Sequence, residues 1–129
     1  MTREEFIKVL EGKGYSYEIV GEELIVTYKG HVDLNSLETL PPGVEFKNGG
    51  NVYLESLETL PPGVEFKNTG NVYLKPLKTL PPGVEFKNGG DVDLSSLVGG
   101  WFEDWKGNIK GINYKRLLNV MISKGIFER

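Results

Sequence analysis

Residues 51–70 read NVYLESLETLPPGVEFKNTG, and nearly the same twenty residues stand on either side: HVDLNSLETLPPGVEFKNGG at 31–50 and NVYLKPLKTLPPGVEFKNGG at 71–90. Adjacent blocks agree at 16 of 20 positions. A fourth block opens as DVDLSSLVGG (91–100) and stops, while the stretch from Leu24 to Gly30 aligns with the second half of a block, Val44 to Gly50. A fixed period of this length marks a solenoid, because one unit cannot bury its own apolar face and stacked neighbours must supply the core.

Within a block, Val44-Glu-Phe46 and Val52-Tyr-Leu54 both alternate apolar–polar–apolar, the period of a short strand with one face inward. Gly49-Gly50 between them permits positive φ and suits a tight corner. After Leu54, the LxxL step Leu57-Glu-Thr-Leu60 closes a second corner, and Pro61-Pro62-Gly63 turns the chain into the next strand. Repetition then stacks like on like in columns: Val32/52/72/92, Leu34/54/74/94, Leu37/57/77/97, Leu40/60/80, Val44/64/84 and Phe46/66/86. Leu24 and Val26 extend the last two. The expected architecture is a β-rich solenoid of about four coils, with a core roughly 15–20 Å long at roughly 4.8 Å per coil.

The flanks read as caps. Thr2 is an N-cap before a helix with Phe6, Ile7, Val9 and Leu10 on one side, ending near Gly12-Lys13-Gly14. A hairpin follows, with residues 15–20 pairing with 24–28 through Gly21-Glu22. Beyond the repeats, Trp101, Phe102 and Trp105 supply aromatic bulk, and Asn113 caps a second helix with Leu117, Leu118, Met121 and Ile122 at helical spacing. One structural domain is expected, built from a cap (1–30), the repeat solenoid (31–98) and an aromatic and helical cap (99–129).

The remaining composition excludes several functions. The chain has 129 residues, 39% hydrophobic and 26% charged, with 17 Gly and 7 Pro. No apolar run is long enough to span a bilayer, and the first residues read as a helix rather than a leader, so a cytoplasmic location without membrane contact is expected. With no Cys there are no disulfides, thiolate metal sites or thiol nucleophiles, and a single His, His31, excludes His-cluster zinc sites. The formal charge of −3 is too mild for a dedicated nucleic-acid binder.

The blocks resemble the leucine-rich-repeat-like solenoid arrays of some bacterial and phage-encoded proteins, through the shared pattern SLxTLPPGVEFKNGGxVxL over residues 31–98. Leu57-Glu-Thr-Leu60-Pro61 corresponds to the LxxLP of the bacterial leucine-rich repeats. The spacing departs from theirs: Asn48 lies two residues after Phe46, and a second V-x-L strand intervenes, so a horseshoe and a compact β-solenoid or short β-helix both remain open. The resemblance implies a binding scaffold and carries over no catalytic residues.

Surface chemistry follows column by column. Glu45/65/85 and Lys47/67/87 read as solvated strand faces, and Asn48/68/88 as satisfying backbone groups at the glycine corner. The columns that vary are more informative. Positions 31/51/71/91 read His, Asn, Asn, Asp; 33/53/73/93 read Asp, Tyr, Tyr, Asp; 35/55/75/95 read Asn, Glu, Lys, Ser; and 38/58/78/98 read Glu, Glu, Lys, Val. The first three share a parity opposite to Val52 and Leu54 and project outward together. Tyr53 and Tyr73 therefore stand side by side, flanked by Asp33 and Asp93, with Glu55 and Lys75 beside them. Tyrosine is a favoured interface anchor, and this face is the expected protein-binding site.

Other chemistry lacks a motif. His31 beside Asp33 suggests an oriented base, but no nucleophile is placed with it, and a corner or edge histidine is the simpler reading. Asp33, Asp91 and Asp93 match no calcium loop, and neither phosphate-binding glycine motif is present. No cofactor, metal or catalytic residue is expected. Residues 101–129 carry six basic against three acidic groups, whereas 31–100 carry five basic against nine. The expected function is non-catalytic protein binding, with inhibition of a host enzyme or defence protein by a phage- or mobile-element-encoded chain as a narrower form. The alternatives are a nucleic-acid-associated accessory protein using the basic terminal helix through Lys115, Arg116 and Lys124, and a self-assembling structural protein; monomer and homo-oligomer both remain open.

Overall fold

A computed structural model describes residues 1–81, 83–94 and 96. Helix α1, Arg3–Lys13, begins with a capping box: the Thr2 hydroxyl accepts from Glu5 N–H at 3.1 Å, and Thr2 N–H donates to Glu5 Oε1 at 2.9 Å. Gly14, at φ 75, closes it in the left-handed region. Its Phe6 and Leu10 are fully buried in the same core cluster as the repeat columns.

Strands β1 (Tyr17–Val20) and β2 (Glu23–Val26) form the expected antiparallel hairpin, turning at Gly21 and Glu22. The repeats follow as β3 (Val32–Asp33), β4 (Val44–Phe46), β5 (Val52–Tyr53), β6 (Glu65–Phe66), β7 (Val72–Tyr73), β8 (Glu85–Phe86) and β9 (Val92–Asp93). They sort into two sheets, ordered β1-β2-β4-β6-β8 and β3-β5-β7-β9, with every repeat-to-repeat pairing parallel. Each block thus gives one strand to each sheet, and the described residues wind a β-solenoid of about three turns with one helix. Leu24 pairs in register with Val44, and Val26 with Phe46, so the hairpin supplies the first rung. The fourth coil expected from sequence begins with β9 and Leu94; Leu97 and the aromatic and helical cap over 99–129 lie outside the described residues.

The core is the set of columns. Val32, Val52 and Val72, Leu34, Leu54 and Leu74, and Val44, Val64 and Val84 are all at most 1% exposed. Phe46, Phe66 and Phe86 stack at 5.2 and 5.1 Å with planes 6° apart. In-register parallel pairing forces this geometry, because identical side chains then repeat at the inter-strand spacing.

The corners differ from expectation in one respect. Positive φ falls on the glycine of each Pro-Pro-Gly turn, at 80–81° for Gly43, Gly63 and Gly83, and not on Gly49 or Gly50. The Gly-Gly pair is required by close approach instead: a Cβ on Gly49 would stand 2.3 Å from the Lys29 carbonyl oxygen. Beside it, the buried Asn48 amide donates to the carbonyls of Gly30, Gly50 and Asn51 at 3.1, 3.2 and 3.0 Å. Asn68 and Asn88 repeat the pattern one and two coils on. The asparagine column therefore satisfies corner carbonyls, as its position suggested.

Candidate functional site

The outward side of the β3-β5-β7-β9 sheet brings the varying columns together. Register sets Asp33 against Tyr53, Tyr53 against Tyr73 and Tyr73 against Asp93. The two tyrosine rings stack at 4.9 Å with planes 6° apart, and the His31 ring meets Tyr53 edge-on at 6.1 Å. Both tyrosines and Asp93 are half-buried, whereas Asp33 and Lys75 are exposed.

The tyrosines are held by a second ladder, the asparagines of the 31/51/71/91 column. Asn51 Nδ2 donates to Tyr53 Oη and Asn71 Nδ2 to Tyr73 Oη, each at 3.0 Å. The same two amides accept through Oδ1 from the backbone N–H of Asn71 and Asp91, both at 2.8 Å. Each asparagine thus ties one coil to the next while fixing the tyrosine two residues on. Since both phenol oxygens accept from an amide, their protons are left to donate outward. The sequence signal was present: an asparagine two residues before tyrosine, repeated at 51 and 71.

His31 heads this ladder, and its Nδ1 accepts from Asn51 N–H at 2.8 Å. A neutral imidazole has one acceptor nitrogen, so in this arrangement the ring caps the backbone and holds no lone pair for use as a base. Asp33 Oδ1 accepts from Asn35 N–H, and Asp33 N–H donates to Tyr15 Oη, both at 3.0 Å. Asn35 continues the motif by accepting from Glu55 N–H at 2.9 Å. Glu55 then lines an open groove of about 600 Å3 with Glu38, Glu58, Thr39, Ser56 and Thr59. Glu55 therefore links the tyrosine face to the groove at the LxxL corner.

The opposite sheet departs from the solvated face expected of it. Glu45 is only 5% exposed. Ile25 and Glu65 flank it in register, and Lys67 Nζ lies 2.9 Å away with Lys47 at 3.8 Å. Lysines also pair within their own coils, Lys67 with Glu65 at 3.7 Å and Lys87 with Glu85 at 3.3 Å. Burial opposes charge on Glu45, yet the hydrogen bonds from Lys67 and Glu65, with the nearby lysine charges, hold its carboxyl below the ordinary range. Glu65 moves the other way, to about 7, through its hydrogen bond with Glu85, burial and its hydrogen bond with Glu45. Stacked like charges disfavour ionising all three carboxyls together, so the middle one holds its proton up to about pH 7.

Comparisons with protein-family models, curated proteins and solved structures find no match for this chain.

Proposed function

We propose that the protein is a non-catalytic protein-binding solenoid whose contact surface is the outward face of the β3-β5-β7-β9 sheet. The observation that carries this reading is the Tyr53–Tyr73 stack, with both hydroxyls fixed by Asn51 and Asn71. A pair of large amphipathic rings already held in place loses little conformational entropy on binding, so the area they bury translates efficiently into affinity. Asp33, Asp93 and Glu55 border the pair and Lys75 stands beside it, giving a polar rim around an aromatic centre. The resemblance to bacterial and phage leucine-rich-repeat-like arrays supports the same class. It favours a cytoplasmic inhibitor of a host enzyme or defence protein, on a scaffold completed by a fourth coil.

The test is affinity capture from a bacterial lysate with the wild type and with Tyr53→Ser/Tyr73→Ser, bound proteins being identified by mass spectrometry. Circular dichroism establishes that the variant is folded. The two substitutions remove one stacked pair, worth about 0.5–1.5 kcal/mol beyond the area the rings bury, together with two amide–hydroxyl hydrogen bonds, while the core columns stay untouched. A protein retained by the wild type and released by the folded variant supports the reading. Identical capture by both removes this face from consideration.

A further inference from the structure

We infer that Asn48 and Asn88 are latent deamidation sites, protected in the folded solenoid and converted on unfolding to residues that prevent their corner from re-forming. The repeat places a glycine after two of its three ladder asparagines, Asn48-Gly49 and Asn88-Gly89, and a threonine after the third, Asn68-Thr69. Deamidation begins when the following backbone nitrogen attacks the asparagine Cγ. A C–N bond forms, the Cγ–Nδ2 bond breaks, and ammonia leaves carrying the hydrogen of the attacking N–H. Water then opens the five-membered imide at either carbonyl, giving aspartate or isoaspartate. Glycine offers the least steric hindrance to the attack, so a chain with open corners reacts at 48 and 88 well before 68.

In the folded protein both partners of the reaction are engaged. Gly49 N–H donates to the Tyr28 carbonyl at 2.9 Å, and Gly89 N–H to the Asn68 carbonyl at 3.0 Å. The asparagine side chains are 0% and 1% exposed, with Nδ2 donating to corner carbonyls. The reacting nitrogen and carbon are thus held by separate hydrogen bonds, away from the water that completes the reaction.

The product does not fit the site it came from. Each ladder Oδ1 is already buried with no hydrogen-bond partner among the described residues. Replacing Nδ2 by oxygen removes the donor to the corner carbonyls and sets a carboxylate against them, which is the unpaired buried charge that folding does not tolerate. Isoaspartate also adds a main-chain methylene beside Gly49, where a single Cβ would come within 2.3 Å of the Lys29 carbonyl. Unfolding thereby becomes irreversible by chemistry, and the time spent unfolded limits the working life of the chain.

The full chain held in mildly alkaline urea, sampled over time, then refolded by dilution and digested, tests this. Cleavage after Lys47, Lys67 and Lys87 puts each ladder asparagine in its own peptide, with Asn68 as internal control. The expected result is conversion of Asn48 and Asn88 ahead of Asn68, a refoldable fraction falling in step, and no conversion in a parallel sample without urea. Gly49→Thr with Gly89→Thr, read in urea by mass alone and so independent of folding, should slow conversion to the rate of Asn68. Equal conversion of native and unfolded samples, equal rates at all three asparagines, or converted chains that regain the native spectrum would each overturn the inference.

Discussion

At the scale of single residues, two kinds of side chain hold a coil in place, and they fail differently. Leu57 is fully buried in the corner column. Leu57→Ala leaves a cavity that stacked neighbours on both sides cannot collapse into, and the expected loss is about 2–5 kcal/mol. Asn68 fills little volume but gives Nδ2 to the carbonyls of Gly50, Gly70 and Asn71 at 3.0, 3.2 and 3.1 Å. In Asn68→Ala one or two buried carbonyls lose their donor, at roughly 1–3 kcal/mol each. The total is comparable to the leucine cavity although far fewer atoms are removed. Urea unfolding of both variants checks this. An alanine at 68 that costs less than about 0.5 kcal/mol, the usual range of a surface change, would mean that the carbonyls find water and the ladder is not structural.

At the scale of the element, the glutamate column of the β4-β6-β8 sheet makes stability depend on pH in a definite direction. Glu65 has a folded pKa of about 7 against an ordinary 4.5. Between those values the folded chain holds a proton that the unfolded chain has released, so stability falls as pH rises from about 4.5 to about 7 and is fullest below that window. Glu45, held low by Lys67 and Glu65, acts oppositely: its contribution is present above 4.5 and is lost as pH falls below its folded value. Glu65→Gln keeps a hydrogen-bond donor toward the neighbouring carboxyls and cannot ionise. Thermal unfolding of this variant across the same window is therefore expected to be flatter than that of the wild type, and more stable at its upper end. A wild-type profile already flat there would show that the column carries no shared proton.

This column also shows what could and could not be read from sequence. The alternation in Val44-Glu-Phe46 was enough to put glutamate opposite the core, and the repeat was enough to stack Glu45, Glu65 and Glu85. Burial of Glu45 alone was not legible, since it depends on the hairpin strand β2 beside it and on lysine side chains folding back across the rung. The Gly-Gly corner differs from the expectation of positive φ for a similar reason. Glycine serves positive φ and close approach equally, and only the distance to the carbonyl of the coil below decides between them. On the tyrosine face, parity alone placed Asp33, Tyr53, Tyr73 and Asp93 in one row. The amides that fix the hydroxyls carry a local signal, asparagine two residues before tyrosine; their grip on the backbone of the next coil follows from the stacking and not from that spacing.

At the scale of the whole molecule, a solenoid is held by contacts between neighbours, so a whole coil is a removable unit. Deleting residues 51–70 joins Gly50 to Asn71 and leaves every column in register. Phe46 then faces Phe86, Lys87 takes the place of Lys67 beside Glu45, and His31 meets the backbone of Asn71 as it met that of Asn51. The shortened chain is expected to remain folded and to unfold in one transition. Its denaturant dependence should be weaker, in proportion to the surface of the lost coil, and its midpoint lower because one core layer and one interface are gone. The outward row becomes Asp33-Tyr73-Asp93, with no stacked pair. If the proposed contact surface is right, the partner captured by the intact chain is lost from a folded protein that differs by a single repeat. A shortened chain that does not fold would show instead that the coils are not equivalent, and that the helix and hairpin below the first coil depend on the second for their stability. Retained capture by a folded shortened chain would move the contact surface off the tyrosine row.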